Sequence, residues 1–360
     1  MAAAAARTPL WSWVWPLLAW VILITTFIAG TSGPMAAAAG LVLIATVFAA
    51  VYHAEVVAHR VGEPFGTLVL AVAVTVIEVA LIVSIMLGAA ADKSGLARDT
   101  VFASVMIACN GIVGLCLLSG GVRHHEQGFQ LEGASAALAV LVALTGLTLV
   151  LPNVTVATPG PVFSTSQLVF AGVISLVLYG SYVFVQTVRH RGYFLPVKGK
   201  SRKAPAPPSD RTALISALLL LVALVAVVGL AKALTPTLEF AVDFLEIPKA
   251  VVGVIIALLV LMPEGVAAVR AARVNQLQTS LNLALGSALA SIGLTIPAVA
   301  AVSIGLGQPL ALGLDVKDEV LLAVTLIVGV ITLGTGRTTV LQGIVHLVIF
   351  TTFLFFAVLP

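Results

Sequence analysis

Residues 64–83 read PFGTLVLAVAVTVIEVALIV, and residues 250–269 read AVVGVIIALLVLMPEGVAAV. Each stretch matches the roughly 20 residues that a helix needs to cross the hydrocarbon core of a bilayer. Each also carries one acid at the same offset, Glu78 in the first and Glu264 in the second. A charge at the bilayer centre costs at least about 2.5–3.5 kcal/mol on insertion scales. Such an acid therefore reads either as a functional group or as a neutral, hydrogen-bonded structural carboxyl. Glu264 follows Pro263. Proline removes an amide donor and leaves carbonyls free, and irregular backbone at membrane depth is tolerated where it lines a cavity or an ion site. Free carbonyls beside a carboxylate are the oxygen ligands that a hard cation takes. The alternative for Glu264 is a simple proline kink near a membrane face.

The rest of the chain agrees with this setting. Of its 360 residues, 60% are hydrophobic and only 9% are charged, against about 25% charged in a soluble domain. So few charges cannot cover a water-soluble body, which excludes a soluble enzyme, a nucleic-acid binder and a disordered chain. Cys109 and Cys116 form no CxxC and suggest neither zinc nor a disulfide framework. The long apolar runs lack the alternation of an outer-membrane barrel. The predicted fold class is an all-α polytopic membrane protein.

Apolar runs between charge or Pro/Gly breaks predict about eleven transmembrane helices: 10–30, 36–58, 65–91, 99–119, 134–151, 166–188, 212–234, 248–270, 277–302, 319–334 and 338–359. The first, with Trp11, Trp13, Trp15 and Trp20, reads as a retained helix with an interfacial tryptophan belt. On this count one set of loops holds Arg7, Arg60, Arg123, the basic cluster from Arg189 to Arg211, Arg270, Arg273 and Arg337. The other set holds only Lys93, Arg98, Lys232, Lys249 and Lys317. The positive-inside rule then predicts a cytoplasmic N-terminus and an external C-terminus. The absence of long extracellular domains and of a processed leader suits a bacterial inner membrane. The Pro- and Lys/Arg-rich stretch 189–211 reads as a basic cytoplasmic linker. The expected organisation is an N-terminal helix (1–35), a five-helix repeat (36–188), the linker, and a second five-helix repeat (212–360). Two repeats of five helices must be inverted relative to each other, a plan common among secondary transporters.

Asn110 is the best neutral ligand candidate, because an amide oxygen can coordinate a cation. Ser104 lies a turn and a half before it, off its face. Ser287, Ser291 and Thr295 recur at i, i+4 and i+8 and line one stripe, which serves either close helix packing or ligation. Glu55, beside His53 and His59, reads either as part of a solvated interfacial cluster or as a proton-entry group. Two carboxylates converging on one dry site would share a proton and titrate together. A cation and protons would then compete for the same oxygens, which is the minimal device for proton-coupled antiport.

At these residues the chain resembles the calcium/proton exchanger family of the cation/calcium antiporter superfamily, most of all the bacterial sodium(potassium)/calcium–proton antiporters. In the first half the likeness lies in GEPFGTLVLAVAVTVIEVALIV (62–83) and ASVMIACNGIVGL (103–115). In the second it lies in LEIPKAVVGVIIALLVLMPEGVAAVRAA (245–272) and LNLALGSALASIGLTIP (281–297), with Gly253, Pro263-Glu264, Gly286-Ser287 and Pro297 in the family's spacing. The resemblance implies that Glu78 and Glu264 are the two central metal ligands, with Asn110 and Ser287 nearby; the reading of the residues themselves adds Ser291, Ser104 and Glu55 as accessory candidates. There are departures. The family's Gly-Asn before each acid is replaced by Val74-Thr75 and Val260-Leu261. A family His is replaced by Gly265, and Ala290-Ser291 stands where an amide is common. Calcium takes six to eight oxygens, so this thinner set implies a looser site that also accepts Na+ or K+.

The resulting expectation is a secondary cation/proton antiporter and not an enzyme. Its ligands are transported Ca2+, Na+ or K+ and H+ with no resident cofactor, and its partners are those ions and the lipid bilayer, with no nucleic acid. Competing readings are a passive cation channel and an intramembrane enzyme. No HExxH supports the enzyme, and a proline-broken helix in an inverted repeat fits alternating access better than a pore.

Overall fold

The computed structural model describes residues 9–31, 33–62, 65–86, 94–195, 207–245 and 247–359. The end of the third apolar run (87–91) and the middle of the basic linker (196–206) lie outside the described residues.

The described chain is helical almost throughout, as lipid requires: an apolar segment without water partners must satisfy its own backbone groups. The helices are α1 (Leu10–Ala29), α2 (Gly33–Val61), α3 (Phe65–Met86), α4 (Leu96–Met106), α5 (Val113–His124), α6 (Leu131–Thr145), α7 (Thr165–Phe184), α8 (Asp210–Phe244), α9 (Ala250–Arg273), α10 (Leu277–Ala290), α11 (Ile296–Leu306), α12 (Val316–Leu333) and α13 (Val340–Val358). The π-segment Ile107–Ile112 joins α4 to α5, and Ser291–Thr295 joins α10 to α11, so each pair forms one rod. Further π-segments extend α6 (Gly146–Val150) and α7 (Val185–Arg189). Among the described residues, nine rods are long and apolar enough to cross a membrane. The others are α3, whose apolar stretch is Val69–Ser84, and α12, which carries Lys317, Asp318 and Glu319 at its start. The chain is a predominantly helical integral membrane protein.

Two compact units divide the molecule, and each draws on both halves of the sequence. The first contains α1, α2, α3 and α8, with α2 packed on the other three. Its long-range polar ties are few. Trp20 Nε1 donates to the Val222 carbonyl at 3.1 Å, and His53 Nε2 lies 2.8 Å from the Ser12 carbonyl. Arg60 pairs with Asp210 through Nε at 2.7 Å. The sequence places the end of the seventh span at 234, before Pro236. Helix α8 instead runs through that proline to Phe244. A proline costs one i to i−4 bond, and packing on neighbouring helices can offset it.

The second unit contains the remaining helices. Its centre is the rod of α4, the Ile107–Ile112 segment and α5, the most enclosed of the spans. Helices α9, α10 and α13 pack around it. Glycines set the approach. A Cβ on Gly253 of α9 would lie 2.9 Å from the Thr100 amide nitrogen, and one on Gly343 of α13 would lie 2.5 Å from that of Leu118. Small residues are how membrane helices approach closely, since water supplies no hydrophobic drive between them. A two-residue antiparallel ladder pairs Gln127 with Thr338 and Gly128 with Arg337, and an isolated bridge pairs Val162 with Ala311.

Candidate functional site

In the first unit, Glu78 is 2% exposed on α3, among the buried residues Val74, Ile77, Leu81 and Ile82. Thr75 stands nearly one turn earlier on the same helix. It is buried, and its hydroxyl has no hydrogen-bond partner among the described residues. Helix α2 packs on α3, yet Glu55 lies on an exposed face of α2 while His53 turns inward to Ser12.

In the second unit, Glu264 is 8% exposed on α9. Helix α9 continues through Pro263. With no proline N–H, the Leu259 carbonyl has lost its usual i+4 donor. A Cβ on Gly265 would lie 3.2 Å from Ile112 Cδ1, so the missing side chain brings α9 close to the π-segment that holds Asn110. Ser280 Oγ donates to the Ala268 carbonyl at 2.7 Å and ties α10 to α9.

Asn110 is fully buried inside its π-segment. A π-turn is a rare local widening of a helix, and such bulges are frequent at functional sites. Both side-chain atoms of Asn110 are engaged. Nδ2 donates to Thr325 Oγ1 at 2.9 Å, and Oδ1 lies 3.0 Å from His346 Nδ1. An amide oxygen has two lone pairs, so His346 occupies one of them. Ser104 Oγ donates to the Thr100 carbonyl at 3.0 Å, within its own helix. Ser287 is half-buried on α10. Ser291 and Thr295 are buried at the two ends of the second π-segment, which packs against α4.

The structure thus brings Glu264, Asn110 and Ser287 onto mutually packed elements of one unit, with Ser291 in the π-segment that continues α10 and Ser104 on the α4 helix against which that segment packs. It places Glu78, with Glu55, in the other unit. Two buried polar residues of the second unit, Thr325 and His346, escape the sequence reading. His346 carried a usable signal: an ionisable residue in the middle of the apolar run 338–359 is by default a functional candidate.

Comparison with known proteins agrees with this architecture. The profile of the family described as sodium/calcium exchanger protein matches residues 16–188 and 215–359. The protein y4hA of Sinorhizobium fredii (strain NBRC 101917 / NGR234) is 52% identical over 359 residues, covering 99% of this chain and 98% of that one. The sodium-potassium/proton antiporter ChaA of Escherichia coli (strain K12) is 35% identical over 353 residues, covering 95% of this chain and 94% of that one. The fold matches the structure of native YfkE with a TM-score of 0.75, at 17% identity, over 97% of this chain and 100% of that chain. It also matches the H+/Ca2+ exchanger CAX with a TM-score of 0.69, at 16% identity, over 96% of this chain and 87% of that chain. The chain belongs to the sodium/calcium exchanger protein family and is an ion transporter, not an enzyme.

Proposed function

We propose that this chain is a secondary active antiporter that exchanges Ca2+, Na+ or K+ for H+, using Glu78 and Glu264 as the groups that bind cation or proton in turn. One observation carries the reading: among the described residues, each unit buries one glutamate in a helix of its membrane-embedded core, 2% exposed for Glu78 and 8% for Glu264. A buried carboxylate that must stay ionised is expensive, and it is relieved by a cation or by a proton. Either partner makes the loaded protein electrically tolerable in the membrane. The doubly charged empty state is the costly one, so access alternates only when the glutamates are occupied. Exchange follows from that penalty.

In the unit of Glu264, Asn110 and Ser287 supply further oxygens, with Ser291 and Ser104 as accessory groups; in the unit of Glu78, Glu55 is the accessory group. The thin oxygen set suits monovalent cations as well as Ca2+. The name of the E. coli relative, a sodium-potassium/proton antiporter at 35% identity, supports Na+ and K+ among the substrates. The excess of Lys and Arg on one set of loops supports a plasma-membrane protein with its N-terminus in the cytoplasm.

The test uses purified protein in vesicles with an imposed cation gradient and a dye reporting lumenal pH. Wild type should move protons against each transported cation in turn. E78Q and E264Q, singly, should abolish that signal while both variants elute and melt as folded protein. Full exchange in both variants would remove the two glutamates from the mechanism.

A further inference from the structure

Hydrogen-bond logic in the core of the second unit assigns the orientation of one side chain and the hydrogen of another. Thr325 Oγ1 lies 2.7 Å from the Leu321 carbonyl, which can only accept, so the hydroxyl hydrogen goes there. The atom of Asn110 that lies 2.9 Å from the same hydroxyl must then donate, which makes it Nδ2. The other amide atom is therefore Oδ1, 3.0 Å from His346 Nδ1. An oxygen there requires that Nδ1 carry a hydrogen. His346 Nε2 has no partner among the described residues, and the ring lines a cavity of about 10 Å3 with Cys109, Leu285, Thr325 and Gly329.

We propose that His346 is a positioning residue for transport. Its Nδ1–H holds the Asn110 amide in one orientation, with the oxygen's second lone pair left for the cation. A reversed amide would offer N–H donors where an oxygen is needed. This rests on the reading of Asn110 as a cation ligand given above. A purely space-filling role would be met by leucine, without the cost of burying an imidazole.

The test compares three substitutions in the vesicle assay. In H346N the side-chain amide can return a donor to the Nδ1 position, whereas H346Q resembles histidine more in length but puts its donor nearer Nε2, and H346L has none. H346N should keep the cation KM within about threefold of wild type, less than one hydrogen bond's worth. H346Q and H346L should raise KM about ten- to a hundredfold, the usual effect of removing a group that orients a ligand, with the maximal rate largely kept. In an N110A background H346L should add nothing. Equal KM values in H346Q, H346L and wild type, or multiplied losses in the double variant, would overturn the proposal. A second readout does not depend on transport. Solid-state NMR of 15N-histidine-labelled wild type in lipid, with H346N to identify the resonance, should show a hydrogen on Nδ1. A bare Nδ1 would overturn the assignment. Persistent exchange in E78Q and E264Q would sink the two-glutamate reading while leaving this NMR result standing, so the two failures are distinguishable.

Discussion

His346 Nδ1 lies 3.0 Å from Asn110 Oδ1, a contact between residues 236 positions apart that ties the last helix to the π-segment at the centre of the second unit. With Thr325 and Met106 it forms a polar knot in the core of the second unit, where Thr325 Oγ1 is also 3.3 Å from Met106 Sδ. Inside a membrane protein such a network has no water to fall back on. Its members are worth more to one another than the same groups at a surface.

Replacing Thr325 by valine keeps the shape and removes the acceptor of Asn110 Nδ2. A buried donor left without a partner costs about 1–3 kcal/mol. T325V should therefore melt earlier than wild type in detergent, and it should weaken apparent cation affinity because the amide loses one of its two anchors. An unchanged melting curve together with unchanged affinity would mean that the knot holds nothing in place.

Two glycines separate packing from conformational freedom. A Cβ on Gly343 would lie 2.5 Å from Leu118 N, 2.9 Å from Leu118 Cα and 3.0 Å from the Gly114 carbonyl oxygen, all of them backbone. G343A should force α13 away from α5 and destabilise by about 1–3 kcal/mol. Gly180, within α7, would meet nothing within 4 Å. There alanine should stabilise the helix by about 0.5–1 kcal/mol. Thermal melts of the two variants should move in opposite directions.

Arg98 holds the start of α4. Its Nε donates to Asp99 Oδ1 at 2.8 Å and its Nη1 to the Gly313 carbonyl at 3.0 Å, with both charged side chains 16% exposed. R98A removes the cation that pairs with the partly buried Asp99 and should lower stability by about 1–3 kcal/mol, the scale of a lost hydrogen bond to a charged group. R98K should fall between, because an ammonium keeps the charge and loses the planar fork. If lysine matched arginine in the melt, the bond to Gly313 would be of no consequence.

Apolar run length made most of the rods readable, because the bilayer demands about 20 apolar residues whatever the tertiary context. Helix ends were less readable. The extension of α8 past Pro236 depends on neighbouring helices. The grouping of α8 with α1, α2 and α3 leaves no mark on local composition. The two glutamates were legible because a charge in an apolar run is conspicuous. The partners of Asn110 were not, since His346 and Thr325 are brought to it only by tertiary packing of α12 and α13. The π-turn around Asn110 is likewise a property of packing, as its sequence IACNGI favours no particular helix type.

The most direct test of the exchange mechanism is simultaneous measurement of cation uptake and lumenal pH in vesicles, with the membrane potential clamped. Proton-coupled antiport requires that each cation taken up expels protons in a fixed ratio, whatever the size of the gradient, and that E264Q loses both fluxes together. Cation uptake that proceeds with no proton counterflow would contradict it.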